Sequence, residues 1–264
     1  MKQTDNKQGR PDQQVVLITG ALTGIGRAAA FAFAEEGAKL VISGRNEEAG
    51  KVLEKELQEQ GVEALFIRAD VRRESEIAAL VNGAVSRFGR LDVAVNNAGT
   101  EGKPGPVTEQ TEDSYKATFD TNVLGTLLSM KHELRFMLGQ RHGNIVNMSS
   151  TFGTRASAGA SVYVASKHAV EGMTKAAALE GAEYGVRVNA VAPGPTETGM
   201  LRRFAGSQEV LDKLHNGVPM KRLGTPGEVA QAIVFLGSDL SPFLSGQSLA
   251  VDGAKLAVDS GSLK

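Results

Sequence analysis

Tyr163 and Lys167 stand four residues apart in Val162-Tyr163-Val164-Ala165-Ser166-Lys167-His168, at the start of a strongly helical run. In a helix that spacing puts the phenol and the ammonium on one face, a single turn apart. An ammonium beside a phenol favours the phenolate, so the pair is expected to titrate below the usual ~10 of a free tyrosine. Such a phenol can take or give a proton at a reacting oxygen. Two further features keep the pair from standing alone. Ser150 follows a predicted strand, and Thr19-Gly20-Ala21-Leu22-Thr23-Gly24-Ile25-Gly26 lies between a predicted strand and a predicted helix. Backbone amides at such a helix start bind phosphate, and the glycines let the ligand approach. Together these residues describe a nucleotide held beside a proton-transfer centre.

The elements that must position them alternate along the chain. Val15–Thr19 is a short apolar run of the kind buried on both faces of a sheet. A helix from Gly24 to Glu36, a strand at Lys39–Ser43, a helix from Asn46 to Gln60 and a strand at Ala64–Arg68 follow. Next come a helix at Glu74–Phe88, a strand at Leu91–Val95, a long helix within Thr111–Leu138 and a strand at Asn144–Met148. Helix Ser161–Tyr184, strand Val186–Val191, helix Pro226–Leu236 and strand Gln247–Val251 complete the series. Strands alternating with helices imply one doubly wound α/β (Rossmann) domain, a parallel sheet of about seven strands with helices on both faces. No linker divides the chain, so residues 14–264 are read as one dinucleotide-binding catalytic domain behind a flexible tail at 1–13. The stretch around 194–224 breaks the alternation and is expected to form a lid.

Composition narrows the class. The 264 residues are 41% apolar and 22% charged, with a formal net charge of -1. That balance suits a globular protein and argues against nucleic-acid binding through a basic face. The absence of cysteine excludes disulfide and thiolate chemistry. No stretch has the length of a membrane span, and the polar opening residues lack a signal-peptide core, so a cytoplasmic protein is expected. His132, His142, His168 and His215 are scattered without metal-ligand spacing, and no metal is expected.

The end of the second strand bears on the choice of dinucleotide. An acidic residue there would bind a ribose 2′-hydroxyl, whereas arginine accommodates a 2′-phosphate. Here the residues are Ser43-Gly44-Arg45-Asn46, with no carboxylate before Glu47. Gly44 is read as leaving space and Arg45 as facing a phosphate, which favours NADP(H) over NAD(H).

From about Gln14 to Gly253 the chain resembles the short-chain dehydrogenase/reductase family. The resemblance rests on the glycine turn, Asp70-Val71, Asn96-Asn97-Ala98-Gly99, Asn122 in Asp120-Thr121-Asn122-Val123, Ser150, Tyr163, Lys167 and Pro193-Gly194-x-x-x-Thr198, all in order. One departure is Val251-Asp252-Gly253-Ala254, where the family often has a second glycine. The resemblance implies an NAD(P)-dependent oxidoreductase moving a hydride between nicotinamide and a secondary alcohol or ketone. It makes Ser150, Tyr163, Lys167 and Asn122 the catalytic set, with Asn122 holding a water that links the lysine to solvent. It has Asp70 and Val71 meet adenine, Asn97, Ala98 and Gly99 lie along a ribose, and Lys167 bond the nicotinamide ribose. Pro193, Gly194, Thr196 and Thr198 then flank the nicotinamide. The family's spacing selects Ser150 over its neighbour Ser149, and it commonly forms homotetramers.

Other readings stay open at this point. A 3-oxoacyl thioester reductase fits the same residues, and a non-catalytic dinucleotide sensor would keep the fold without turnover. Arg202-Arg203 reads as a solvated pair in the lid. Phe152, Arg155, Met200, Leu201 and Phe204 fall in segments able to line a pocket.

Overall fold

The computed structural model describes residues 13–257. The expected tail at 1–13 therefore lies outside the described residues apart from its last position. Seven parallel strands form one sheet in the order β3-β2-β1-β4-β5-β6-β7: β1 Val15–Thr19, β2 Lys39–Gly44, β3 Ala64–Arg68, β4 Val93–Asn96, β5 Gly143–Met148, β6 Val186–Pro193 and β7 Ser248–Val251. Strand β1 pairs with β2 on one side and β4 on the other, as in Leu17 opposite Val41 and Leu17 opposite Ala94. The chain thus reverses direction across the sheet between β1 and β4, and a crevice opens beyond the C-terminal ends of those strands.

Alternation along β1 divides the core. Val16 and Ile18 point to the face covered by helix α1 (Gly24–Glu35) and helix α9 (Pro226–Gly237), among Phe33, Leu40 and Ile233. Leu17 points to the other face, with Ile77 and Leu80 of α3 (Glu74–Phe88) and Met137 of α5 (Gly125–Gln140). Helix α6 (Ser161–Gly181) lies on that second face and packs against β6. Helix α2 (Glu47–Glu59) covers β3, and its start is capped by Asn46, whose Oδ1 accepts from the Ala49 amide. No helix among the described residues is long and apolar enough to cross a membrane.

Element ends shift by a residue or two from expectation, and two regions differ in kind. The expected long helix is α4 (Glu112–Phe119) joined to α5 by a π turn over Asp120–Leu124. A π turn inserts a residue and re-aims its side chains, and Asn122 sits in this one. The lid region is more regular than its sequence suggested. It holds α7 (Gly199–Ala205), capped by Thr198, and α8 (Gln208–Asn216), capped by Ser207. A bridge between Thr196 and Gly224 closes the base of this excursion.

Candidate active site

Two connected hollows lie beyond the strand ends. The outer cleft, about 510 Å³, is lined by Gly20, Thr23, Gly24, Ile25, Arg45, Asp70, Val71, Asn97, Ala98, Gly99 and Thr198 among others. The inner cavity, about 160 Å³, shares Ile25, Asn97, Gly99 and Thr198 with it and adds Ser150, Tyr163, Lys167, Pro193, Gly194 and Thr196. Of the sequence-predicted site residues only Gly26 and Asn122 line neither hollow.

The outer cleft is shaped by contacts within the protein. The Asn97 amide donates to the carbonyls of Thr19 (3.2 Å) and Gly20 (2.9 Å), stitching the end of β4 to the turn after β1. Gly26 lies under that stitch: a Cβ there would come within 2.4 Å of both Asn97 Nδ2 and the Gly20 carbonyl oxygen. The missing side chain lets the turn close. Gly44 likewise corrects expectation. The room it leaves is filled by Leu22, whose Cδ1 would be 2.6 Å from a Cβ at position 44. Asp70 is gripped by Arg72 through three side-chain hydrogen bonds of 2.5–3.1 Å, which holds its carboxyl at about 2. Helix α1 enters the cleft with no side-chain cap from Thr23 and no acidic residue in its first turn. Uncapped amides, a helix start and an exposed arginine across the cleft suit an anion. The outer cleft therefore fits a dinucleotide.

The inner cavity holds the expected trio. Ser150, beyond the end of β5, lines the cavity with Tyr163, and its Oγ accepts from the Phe152 amide at 3.2 Å. The Phe152 ring meets Tyr163 edge-on at 6.2 Å and Phe204 of α7 at 6.4 Å. Lys167 Nζ lies 5.6 Å from the Tyr163 ring centroid and donates to the Met148 carbonyl at 2.7 Å. Electrostatics depart from the sequence expectation. Burial pushes the Tyr163 phenol up to about 12, against the lowering effect of Ser150 and with a smaller raising effect from Glu101. Burial also brings Lys167 down to about 8, with Glu171 opposing. Desolvation outweighs the mutual attraction assumed from spacing alone.

Ser149 and Ser150 both reach the cavity, but differently. Ser149 Oγ is buried without a protein partner among the described residues, beside Gly153, whereas Ser150 Oγ accepts from the Phe152 amide. Asn122 proves buried, with its amide protons committed to the Thr100 carbonyl (2.9 Å) and Ser166 Oγ (3.1 Å). Its Oδ1 accepts from the Thr100 amide at 2.8 Å. The side chain thus ties the loop after β4 to α6. Thr198 Oγ1 accepts from the Leu201 amide and donates to the Thr196 carbonyl, so it shapes the start of α7.

Sequence reasoning missed three contributors. Leu22 forms part of the outer wall. Glu101 lines the inner cavity, and Arg203, read as a solvated charge, clasps it from α7 at 2.5 Å and 3.2 Å. Their pairing joins residues 102 apart, which no local pattern reports.

The family described as "Enoyl-(Acyl carrier protein) reductase" matches residues 20–254. An uncharacterised oxidoreductase of Thermotoga maritima is 41% identical over 96% of this chain and 100% of its own length. A cyclohexanol dehydrogenase of an Acinetobacter strain is 39% identical over 92% of this chain and 95% of its own. The solved structure of ElxO with NADP bound superposes with a TM-score of 0.87 at 37% identity, covering 94% of this chain and 100% of that one. With the seven-stranded doubly wound sheet and the Ser150, Tyr163 and Lys167 cluster, these matches establish that the chain belongs to the short-chain dehydrogenase/reductase family of NAD(P)-dependent oxidoreductases.

Proposed function

We propose that Tyr163 is the acid/base of hydride transfer between NADP(H) and a secondary alcohol or its ketone. The observation that carries this is the meeting of Ser150, Tyr163 and Lys167 in a cavity continuous with the cleft at the glycine turn. A bound nicotinamide supplies or accepts the hydride. Ser150 donates a hydrogen bond to the substrate oxygen, meeting the negative charge that develops there. Tyr163 delivers the proton in reduction and removes it in oxidation. Burial keeps its phenol protonated at neutral pH, the form that serves reduction. Lys167, close by and buried, orients the nicotinamide ribose, and Asn122 positions α6 against the loop after β4. Arg45 at the cleft, with no carboxylate beside it before Glu47, supports a preference for NADP(H).

The far wall of the inner cavity is apolar, formed by Phe152, Met200, Leu201, Phe204 and Leu214. It suits an uncharged, apolar carbonyl compound, and the cyclohexanol dehydrogenase relative is in keeping with a cyclic alcohol. The enoyl thioester named in the family description favours an acyl thioester as a second reading. A turnover screen of cyclic ketones against 3-oxoacyl thioesters separates the two. Tyr163→Phe should retain cofactor binding and lose roughly 10²–10⁴-fold in turnover. Near-normal turnover would move the proton transfer to another group. Exposed Tyr115, Leu124, Leu127 and Leu179 on α4, the π turn, α5 and α6 support a homotetramer. A monomeric sedimentation coefficient at micromolar concentration would sink that assembly.

A further inference from the structure

Glu133 of α5 is fully buried beneath the sheet and lines neither hollow. Its Oε2 accepts from Asn96 Nδ2 at 2.9 Å, and the same amide group donates to Asn147 Oδ1 at 3.0 Å. Both Asn96 amide protons are thereby spent. Asn147 in turn donates to Thr174 Oγ1 of α6 at 3.0 Å and faces Met130 Sδ at 3.1 Å. Two buried acceptors are left without a partner among the described residues: Asn96 Oδ1 and Glu133 Oε1. They belong to the two side chains already joined by a hydrogen bond. An ionised carboxylate leaves both acceptors orphaned, at the full desolvation penalty of each. One proton on Glu133 Oε1 changes the count, because the acid then has a donor to give.

We propose that Glu133 is a neutral carboxylic acid that donates to Asn96 Oδ1, closing an acid–amide ring that positions the ends of β4 and β5. Asn96 immediately precedes Asn97, which stitches the glycine turn, and Asn147 immediately precedes Met148, whose carbonyl holds Lys167. Glu133 is thus a positioning residue for the cofactor turn and the lysine. That consequence rests on the function proposed above, whereas the protonation state stands independently of it.

The surroundings favour the neutral form. The Asn96 amide meets Glu133 from β4, and the network continues through Asn147 of β5 to the Thr174 hydroxyl of α6, all of them uncharged groups. Its charged neighbours on α5, Lys131 and His132, turn outward to Glu74 of α3. Burial raises the Glu133 carboxyl from 4.5 to about 7, with the Asn96 hydrogen bond opposing. The folded protein then holds a proton that the unfolded chain releases, so stability declines as pH rises from about 4.5 through about 7.

Glu133→Gln supplies the test, since a glutamine amide can give and take the same two hydrogen bonds without titrating. The wild-type melting temperature should fall between pH 5 and pH 8 by roughly 5 °C more than that of the variant. Infrared spectra at pH 6 should show a carboxylic-acid carbonyl stretch that Glu133→Gln lacks. Wild-type NADPH affinity should weaken over the same pH range relative to the variant, whose profile is flatter. Parallel melting curves together with an unchanged infrared spectrum would overturn the proposal, as would an ionised Glu133 bridged by a buried water. If the variant does not fold, the wild-type spectrum decides: a carboxylic band titrating well above pH 4.5 supports the ring, and its absence at pH 6 refutes it. Loss of the pH-dependent NADPH term alone, with the band intact, would refute the positioning role and leave the acid in place.

Discussion

Helices α1 and α9 pack side by side on the same face of the sheet, yet they begin in opposite ways. Helix α9 satisfies its own first turn. Thr225 Oγ1 accepts from the Glu228 amide at 3.2 Å, Glu228 Oε2 accepts from the Thr225 amide at 2.8 Å, and Pro226 occupies the first position. Arg222 then clasps the same carboxylate at 2.6 Å and 2.8 Å. Helix α1 has none of this: Thr23 makes no side-chain cap, and no acid stands in the first turn. A capping box contributes stability whatever is bound. Leaving α1 uncapped forgoes that stability and keeps its amides and its positive end turned to the cleft. The difference separates a helix start built for folding from one built for an anionic ligand.

The most damaging way to break this contrast is Gly26→Ala. The added methyl would strike the Asn97 amide and the Gly20 carbonyl at 2.4 Å, two groups held together by their own hydrogen bond. Relieving that overlap opens the stitch that shapes the cleft. Binding of NADPH should weaken by about 100-fold while the sheet persists. Isothermal titration measures the first and far-UV circular dichroism the second. An unchanged dissociation constant would mean the turn does not shape the binding site.

A finer cut distinguishes the cofactor's charge from its general shape. Arg45 lines the cleft opposite the start of α1. Arg45→Ala should cost NADPH about tenfold in affinity, the weight of one charged hydrogen bond, and leave NADH nearly unchanged. Equal losses for both cofactors would assign Arg45 to adenine rather than to a phosphate.

The contrast between the two helices also marks how far sequence could reach. Alternation of apolar runs and amphipathic stretches revealed the seven strands, because burial on both faces and a helical repeat are written locally. The glycine turn, Ser150, Tyr163 and Lys167 were legible for the same reason, each being a residue type at a fixed place in a strand, turn or helix. What escaped was decided by partners distant in sequence. Gly44 was read as leaving space, but Leu22 fills the room beside it. The partners of the Asn122 side chain, Thr100 and Ser166, lie 22 and 44 residues away and could not be read from its own segment. Tyr163 was expected to be acidified by Lys167, yet burial governs both groups, and burial is a property of the whole fold. The Glu101–Arg203 clasp and the Glu133–Asn96–Asn147 network join loops, strands and helices that no spacing rule connects.

The smallest predicted effect is the most direct test of the two helix starts, because it uses one substitution at two equivalent positions. Thr225→Ala removes the acceptor that the Glu228 amide uses and should cost about 1 kcal/mol, a fall of roughly 2–4 °C in melting temperature. NADPH affinity should not change, since Thr225 lines neither hollow. Thr23→Ala removes an exposed side chain that caps nothing, so stability should stay within about 0.5 kcal/mol. Because Thr23 lines the outer cleft, NADPH affinity should instead fall about fivefold, the weight of one modest hydrogen bond. The two variants thus exchange signatures, one losing stability and the other losing affinity. If Thr23→Ala melts early with normal binding, the start of α1 is a structural cap like that of α9, and the asymmetry between the two helices has no bearing on the ligand.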